Sequence, residues 1–153
     1  MSKLNLKTFQ NRKARFNYQI LEKFEAGIVL IGNEVRSIRD GKVVLDNAYG
    51  VIKTGEIWII NLFIDLKNYH KDFQKNNNIR PKKLLLSRKE IDKISQKLRT
   101  NGLTIIPLNL HFNKKGIIKL DIGLSKGRKK FDLREYKKDQ DWKRQKQRIT
   151  RDL

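Results

Sequence analysis

The sequence predicts a mainly β protein, a small antiparallel barrel with short flanking helices and a basic C-terminal tail. Five or six short segments rich in Val, Ile and aromatic residues are separated by turn residues such as glycine and asparagine. Strands do not alternate with crossover helices, so a doubly wound parallel sheet is not expected. At 153 residues the chain has room for one domain with tails. Short strands with hairpin connections fit a barrel of the oligonucleotide-binding (OB) type.

The first predicted strand covers residues 16–31. Apolar residues occupy alternate positions from Phe24 to Leu30, which is typical of a strand with one buried face. Residues 32–41 then predict a short helix, with Asn33 as a possible N-cap and a glycine at the end.

The central part of the barrel is predicted to be a hairpin. Residues 43–53 and 56–64 are rich in Val, Ile and Trp, and Thr54-Gly55 is a two-residue connection in which glycine accepts a positive φ. Residues 66–83 are polar and contain three consecutive asparagines, so we expect an irregular segment that is mobile or functional.

The clearest helix signal follows this segment. Ser87 and Glu90 have the spacing of a capping box, and Asn101-Gly102 supplies a left-handed stop. Residues 103–112 and 117–124 predict two further strands, and Pro107 in the first of them indicates an edge position or a bulge.

The C-terminal segment 128–153 differs in character from the barrel. It contains no glycine or proline and can form a helix, but its apolar residues are too sparse to bury one face of it. We expect a tail that is disordered alone and helical on a partner, as basic segments that fold on RNA are. An ordinary C-terminal helix docked by Leu133 and Tyr136 is the alternative. The predicted organisation is a basic arm at 1–15, a barrel at 16–127 and a tail at 128–153.

The net charge of +20 is unevenly distributed. Residues 1–15 carry +5, residues 16–65 carry −2, and residues 66–83 and 84–124 carry +5 each, while residues 125–153 carry +7. Basic arms and loops around a near-neutral core are the electrostatic pattern of a nucleic-acid binder.

The composition excludes several other classes of protein. There is no cysteine, and no apolar run approaches the ~20 residues that span a membrane. The N-terminal residues lack the apolar region of a secretory signal, so we expect a cytoplasmic protein.

Catalytic signals are nearly absent from the sequence. His70 and His111 are the two histidines, neither has metal-site spacing to an acid, and no phosphate-binding glycine loop is found. We therefore predict no enzyme activity, no cofactor and no bound metal. Glu34 has two interpretations, as an acid stabilised in the first turn of a helix or as a contact to base amino groups or a 2′-OH of RNA.

Several ordered motifs resemble the SsrA-binding protein (SmpB) family. They extend from about Asn11 to about Ile149, nearly the whole chain. The segments that carry the resemblance are Asn11–Tyr18, Phe24–Ile28, Gly32–Lys42, Arg80–Leu86 and Asp121–Lys130.

The resemblance implies an OB-type barrel that binds the tRNA-like domain of transfer-messenger RNA. Proteins of this family deliver that RNA, together with elongation factor Tu, to 70S ribosomes stalled on truncated messages. The tail enters the empty decoding site and message channel. We expect the protein to be a monomer. The alternative function is that of a general OB-type RNA or single-strand binder or of a ribosomal accessory protein.

The resemblance also implies site residues. Some of them match family positions that form the RNA-binding face, support that face from beneath or belong to the tail. The others are basic residues in or beside the same motifs. Leu133 stands where the family's tail motif has lysine, and Thr150 stands where some members have methionine. For RNA binding the residues are Asn11, Arg12, Lys13, Arg15, Glu34, Arg36, Arg39, Leu85, Lys119, Lys126, Gly127, Arg128 and Lys129. For ribosome binding by the tail they are Asp132, Arg134, Lys138, Trp142, Lys143 and Ile149.

Overall fold

The structure is a computed structural model that describes residues 7–66, 77–128 and 130–151. Within these ranges, nine strands and four α-helices follow one another. Their order is β1 (Phe9–Gln10), α1 (Arg12–Asn17), β2 (Tyr18–Ile28), α2 (Gly32–Arg39), β3 (Val43–Val44), β4 (Tyr49–Lys53), β5 (Glu56–Ile60), β6 (Phe63–Ile64), a 3-10 turn (Asn77–Ile79), β7 (Lys82–Leu85), α3 (Arg88–Asn101), β8 (Thr104–Phe112), β9 (Ile118–Gly127) and α4 (Lys130–Arg151).

Six antiparallel strands form a closed barrel. Their order is β8-β4-β5-β7-β2-β9, and pairing between β9 and β8 closes the ring. The short strand β1 adds to the edge of β8, while β3 and β6 form a separate two-stranded sheet. This architecture confirms the predicted mainly β, antiparallel barrel with short helices.

The core fills the barrel with aliphatic side chains. Alternate residues point inward, so that Ala26, Leu84, Leu110 and Leu120 are fully buried, whereas their neighbours in the strands reach the surface. Helix α3 covers this core through Ile91 and Ile94, among others. The outward-facing residues of the strands can therefore be polar or basic.

Three local predictions are confirmed by backbone geometry. Thr54 and Gly55 both have positive φ, 53° and 75°, as a two-residue hairpin turn requires. Ser87 and Glu90 form the predicted capping box at the start of α3, and Gly102 ends that helix in the left-handed region. The strand register shifts between Pro107 and Asn109, which is the expected bulge.

Other element bounds differ from the sequence predictions. Phe16 and Asn17, at the start of the predicted first strand, belong to α1, and the predicted strand 43–53 is interrupted between β3 and β4. Lys82–Leu85 is a barrel strand rather than irregular, because it pairs with β2 and β5. Of the rest of the segment predicted to be irregular, Asn77–Ile79 form the 3-10 turn, and 67–76 lie outside the described residues.

Helix α2 begins two residues earlier than a cap at Asn33 would allow. The flanking residue is Ile31, whose amide donates to Glu34 Oε1 at 2.9 Å. The carboxylate of the third helical residue thus satisfies the free backbone amide of the residue that precedes the helix.

The tail is a helix in the structure, which is the conformation expected of it on a partner. Helix α4 contacts α1, where the rings of Phe16 and Tyr136 meet edge to face with centroids 6.0 Å apart. The guanidinium of Arg128 lies 4.3 Å from the centroid of the Tyr136 ring. These contacts account for the docked start of α4, as in the alternative of a helix held by Tyr136. No helix in the described ranges is long and apolar enough to span a membrane.

Candidate nucleic-acid interface

Asn11 fixes helix α1 on the barrel. Its side chain is 5% exposed, accepts from the amide of Ala14 at 3.1 Å and donates to the carbonyls of Pro107 at 2.9 Å and Leu45 at 3.3 Å. All polar atoms of this side chain therefore have protein partners. Asn11 supports the interface from below and offers little surface to RNA.

Helix α1 presents its basic residues to solvent. Ala14 is the buried residue of the helix, whereas Arg12, Lys13 and Arg15 are exposed. Arg12 and Arg15 line a shallow groove between α1 and α4, into which Arg144 also projects. The anchored asparagine thus holds a short cationic ridge beside the tail helix.

The end of β9 continues this ridge. Gly127 pairs with Tyr18 at the start of β2, and the amide of Arg128 donates to the carbonyl of Asn17 at 2.9 Å. Lys126 and Gly127 are exposed. We call Arg12, Lys13, Arg15, Lys126 and Arg128 the basic ridge.

Glu34 lies in a buried ionic cluster rather than on the surface. Its side chain is fully buried, and Oε1 lies 2.5 Å from Arg80 Nη2, while Oε2 lies 3.6 Å from Lys82 Nζ. The carboxylate therefore faces two cations, one just before β7 and one at the start of β7. Of the two interpretations of Glu34, the structure has the acid of the first helical turn, and no open side of this carboxylate faces a base.

Lys82 is an unusual member of this cluster because its side chain is also fully buried. Its Nζ donates to the carbonyls of Arg80 at 2.7 Å and Leu62 at 3.2 Å. Burial lowers the pKa of Lys82 from its ordinary value of 10.5 to about 8, although the nearby Glu34 carboxylate partly opposes this shift.

Leu85 and Lys119 belong to one row on the outer face of the barrel. Gly27 of β2 pairs with Leu85 of β7 on one side and with Lys119 of β9 on the other. Leu85 is 53% exposed. A Cβ at Gly27 would lie 3.1 Å from Leu85 Cβ, so the glycine leaves room for the leucine to lie across the row. An exposed leucine beside a lysine suits contact with a nucleotide.

The remaining predicted residues lie on two helices. Arg36 and Arg39 are exposed in the last turn of α2. On α4, Arg134, Lys138 and Lys143 are exposed, and Trp142 is 60% exposed without a core to cover it. Lys129 and the side chains of Asp132 and Ile149 lie outside the described part of the protein.

The structure also brings together residues that sequence reasoning missed. Arg80 and Lys82 were not singled out as partners of Glu34, because nothing in a local pattern marks a lysine as buried. Glu25, His111 and Asp121 come within 4.8 Å of one another through their ligand atoms, although no pair of them has metal-site spacing along the chain. Strand register brings Glu25, His111 and Asp121 together, whereas the Glu34 group is set by the packing of α2 against the start of β7.

Comparisons with known proteins agree with this geometry. The family described as SmpB protein matches residues 8–152. The SsrA-binding protein of Ehrlichia canis is 48% identical, with 93% of this chain and 95% of that protein covered. The SsrA-binding protein of Rhizobium meliloti is 42% identical, with coverage of 94% and 89%.

A solved structure is similar to this chain in three dimensions. It is described as "tmRNA-SmpB: a journey to the center of the bacterial ribosome" and superposes with a TM-score of 0.64 at 35% identity. The superposition covers 84% of this chain and 92% of that one. The barrel, the basic ridge and the family match over residues 8–152 together show that the chain belongs to the SmpB family.

Proposed function

We propose that this protein binds the tRNA-like domain of transfer-messenger RNA and delivers it to stalled ribosomes for trans-translation. Membership of the SmpB family carries this proposal. That family consists of RNA-binding proteins and not of enzymes. Transfer-messenger RNA and the ribosome are its partners, in keeping with relatives named SsrA-binding protein and a neighbour described with the bacterial ribosome.

In this proposal the RNA-contacting residues are the exposed ones. The basic ridge, Arg36 and Arg39 neutralise phosphates, and Leu85 with Lys119 contacts a nucleotide on the outer face of the barrel. A-form RNA is recognised mainly through its shape, its phosphates and its 2′-hydroxyls, so such a surface needs few base-specific side chains. Asn11 and Glu34 act beneath this surface as supports. Lys129, which falls outside the described residues, is assigned to the same surface from the sequence.

The tail is the proposed probe of the ribosome. A helix from residue 132 to residue 151 is about 30 Å long at 1.5 Å per residue, which suits insertion into an empty message channel. Trp142 provides an exposed apolar anchor, and Arg134, Lys138 and Lys143 provide charge toward ribosomal RNA. Asp132 and Ile149 are expected to contribute from the same helix. Delivery involves elongation factor Tu bound through the same RNA, and the protein acts as a cytoplasmic monomer.

Two truncations test the division between barrel and tail. Removal of residues 141–153 leaves Tyr136 docked on Phe16, whereas removal of residues 132–153 also removes that contact. We expect the shorter truncation to bind the tRNA-like domain within about twofold of the full chain and to abolish tagging of stalled chains in a reconstituted translation system. If RNA affinity falls as completely as tagging, the division into an RNA-binding barrel and a ribosome-binding tail is wrong.

Competition at fixed salt separates this function from general single-strand binding. A general OB-type binder needs exposed aromatic rings on the barrel for stacking. Tyr49 on β4 is 39% exposed, and Trp58 on β5 is half-buried with its indole donating to the carbonyl of Lys53 at 3.3 Å. We expect the folded tRNA-like domain to displace a single strand of equal length, and the reverse preference would favour the general binder.

A further inference from the structure

Three ligand-type side chains meet on the outer face of strands β2, β9 and β8. Glu25 pairs directly with Asp121 across β2 and β9, and Asp121 pairs with Asn109 across β9 and β8. His111 lies two residues beyond Asn109, so its side chain shares the outer face and sits diagonally from Asp121. The intervening residues Leu110 and Leu120 point into the core.

The spacing of these side chains fits one small metal ion. His111 Nε2 lies 3.2 Å from Asp121 Oδ1 and 3.9 Å from Glu25 Oε2. In a tetrahedral zinc site with bonds of about 2.1 Å, ligand atoms are about 3.4 Å apart. The two measured distances lie on either side of this value. Since Glu25 is exposed, its carboxylate can adjust by rotation.

The two carboxylates on this face favour the binding of a cation. Like charges placed directly opposite each other on neighbouring strands are destabilising, and Glu25 and Asp121 are such a pair. Lys119, which pairs with His111 across β9 and β8, places a positive charge beside the histidine and offsets part of this repulsion. An ion between the two carboxylates and the imidazole would relieve the repulsion and use all three ligand atoms.

We propose that Glu25, His111 and Asp121 form a binding site for a divalent transition metal of the zinc class. One imidazole nitrogen and two carboxylate oxygens suit zinc, and the remaining position is left for water. Magnesium, which prefers oxygen ligands in octahedral geometry, suits this set less well. The site lies beside Lys119, which is proposed to contact RNA, but it does not depend on the proposed function.

A competition titration tests the site. Tag-free full-length protein, freed of metal, is titrated with Zn²⁺ at pH 7.5 against a chromogenic zinc chelator. The chain has only two histidines, so His70→Gln is a matched control for His111→Gln. Both His111→Gln and Asp121→Asn change outward-facing side chains, and thermal unfolding of the metal-free variants verifies that they fold.

We expect the unmodified protein to bind one Zn²⁺ with micromolar or tighter affinity. His111→Gln and Asp121→Asn are each expected to weaken binding at least tenfold, whereas His70→Gln leaves it unchanged and a hundredfold excess of Mg²⁺ does not displace zinc. Absence of binding at this level would show that the cluster is held by hydrogen bonding without a metal, which overturns the proposal. Loss of binding in His70→Gln, or its persistence in His111→Gln, would overturn it as well.

Discussion

Replacing Glu34 by glutamine tests whether this residue supports the fold or contacts RNA. Glutamine has nearly the same shape and keeps an oxygen that can accept from the amide of Ile31. What is lost is the negative charge that faces Arg80 at 2.5 Å and Lys82 at 3.6 Å. Breaking a buried ion pair by removing one partner costs about 3–5 kcal/mol, because the other charge is left buried.

The lower end of that range is expected for Glu34→Gln. The side chain of Arg80 is 33% exposed and can turn to solvent, and Lys82, whose pKa is already lowered to about 8, can lose its proton. We therefore expect a loss of about 3 kcal/mol in the free energy of unfolding, out of the 5–15 kcal/mol typical of a domain.

Urea denaturation followed by Trp58 fluorescence measures this loss. Since Trp142 would add a signal from the tail, the series is made in a Trp142→Phe background. The matched control is Glu56→Gln, which removes a partly exposed acid 3.9 Å from Lys83 and should cost less than about 1 kcal/mol. Affinity for the tRNA-like domain, measured where the variant is folded, should change by no more than about twofold. Unchanged stability together with a tenfold loss of RNA affinity would refute the supporting role.

Three further perturbations have defined outcomes. The pKa of Lys82 in the folded protein, about 8, lies below its ordinary value of 10.5, so the unfolded chain binds an extra proton between these pH values. The free energy of unfolding should therefore rise with pH across this window by about 3 kcal/mol. Urea titrations of the parent protein and of Lys82→Met, which lacks the titrating group, measure the difference. Gly27→Val should displace Leu85 and lower RNA affinity several-fold in a filter-binding assay, with Val29→Ala on the strand's continuation as control. Tyr136→Ala should remove the edge contact with Phe16 and reduce helical signal from α4 in circular dichroism, whereas Gln145→Ala, which is exposed and does not line the groove between α1 and α4, should not.

Local signals in the sequence predicted those elements whose geometry is decided within a few residues. The capping box at Ser87 and the hairpin turn at Thr54-Gly55 are examples, since hydrogen bonds and φ values inside a single turn determine them. The start of α2 was missed because no residue with a capping side chain precedes the helix. The side chain of Glu34 instead satisfies the free backbone amide of Ile31.

Long-range contacts account for what could not be predicted. Lys82 looks like one more basic residue in a basic segment, yet its ammonium reaches the carbonyl of Leu62, which lies 20 residues away in the sequence. Asn11 was identified through its motif, but its role depends on the carbonyls of Leu45 and Pro107, which belong to other elements. Such partners are set by barrel closure, and single-sequence patterns carry no information about it.

The difference between buried supports and exposed contacts gives a rule for interpreting variants of this interface. A substitution at Asn11 or Glu34 alters how the surface is held, so it should lower stability and should reduce affinity only where part of the protein is unfolded, without changing how affinity depends on salt. A substitution at Arg12 or Lys13 removes an exposed charge, so it should leave stability nearly unchanged and reduce the slope of log affinity against log salt by about one unit if the residue contacts a phosphate. Loss of affinity at one salt concentration does not separate these cases, whereas the salt slope measured beside the free energy of unfolding does.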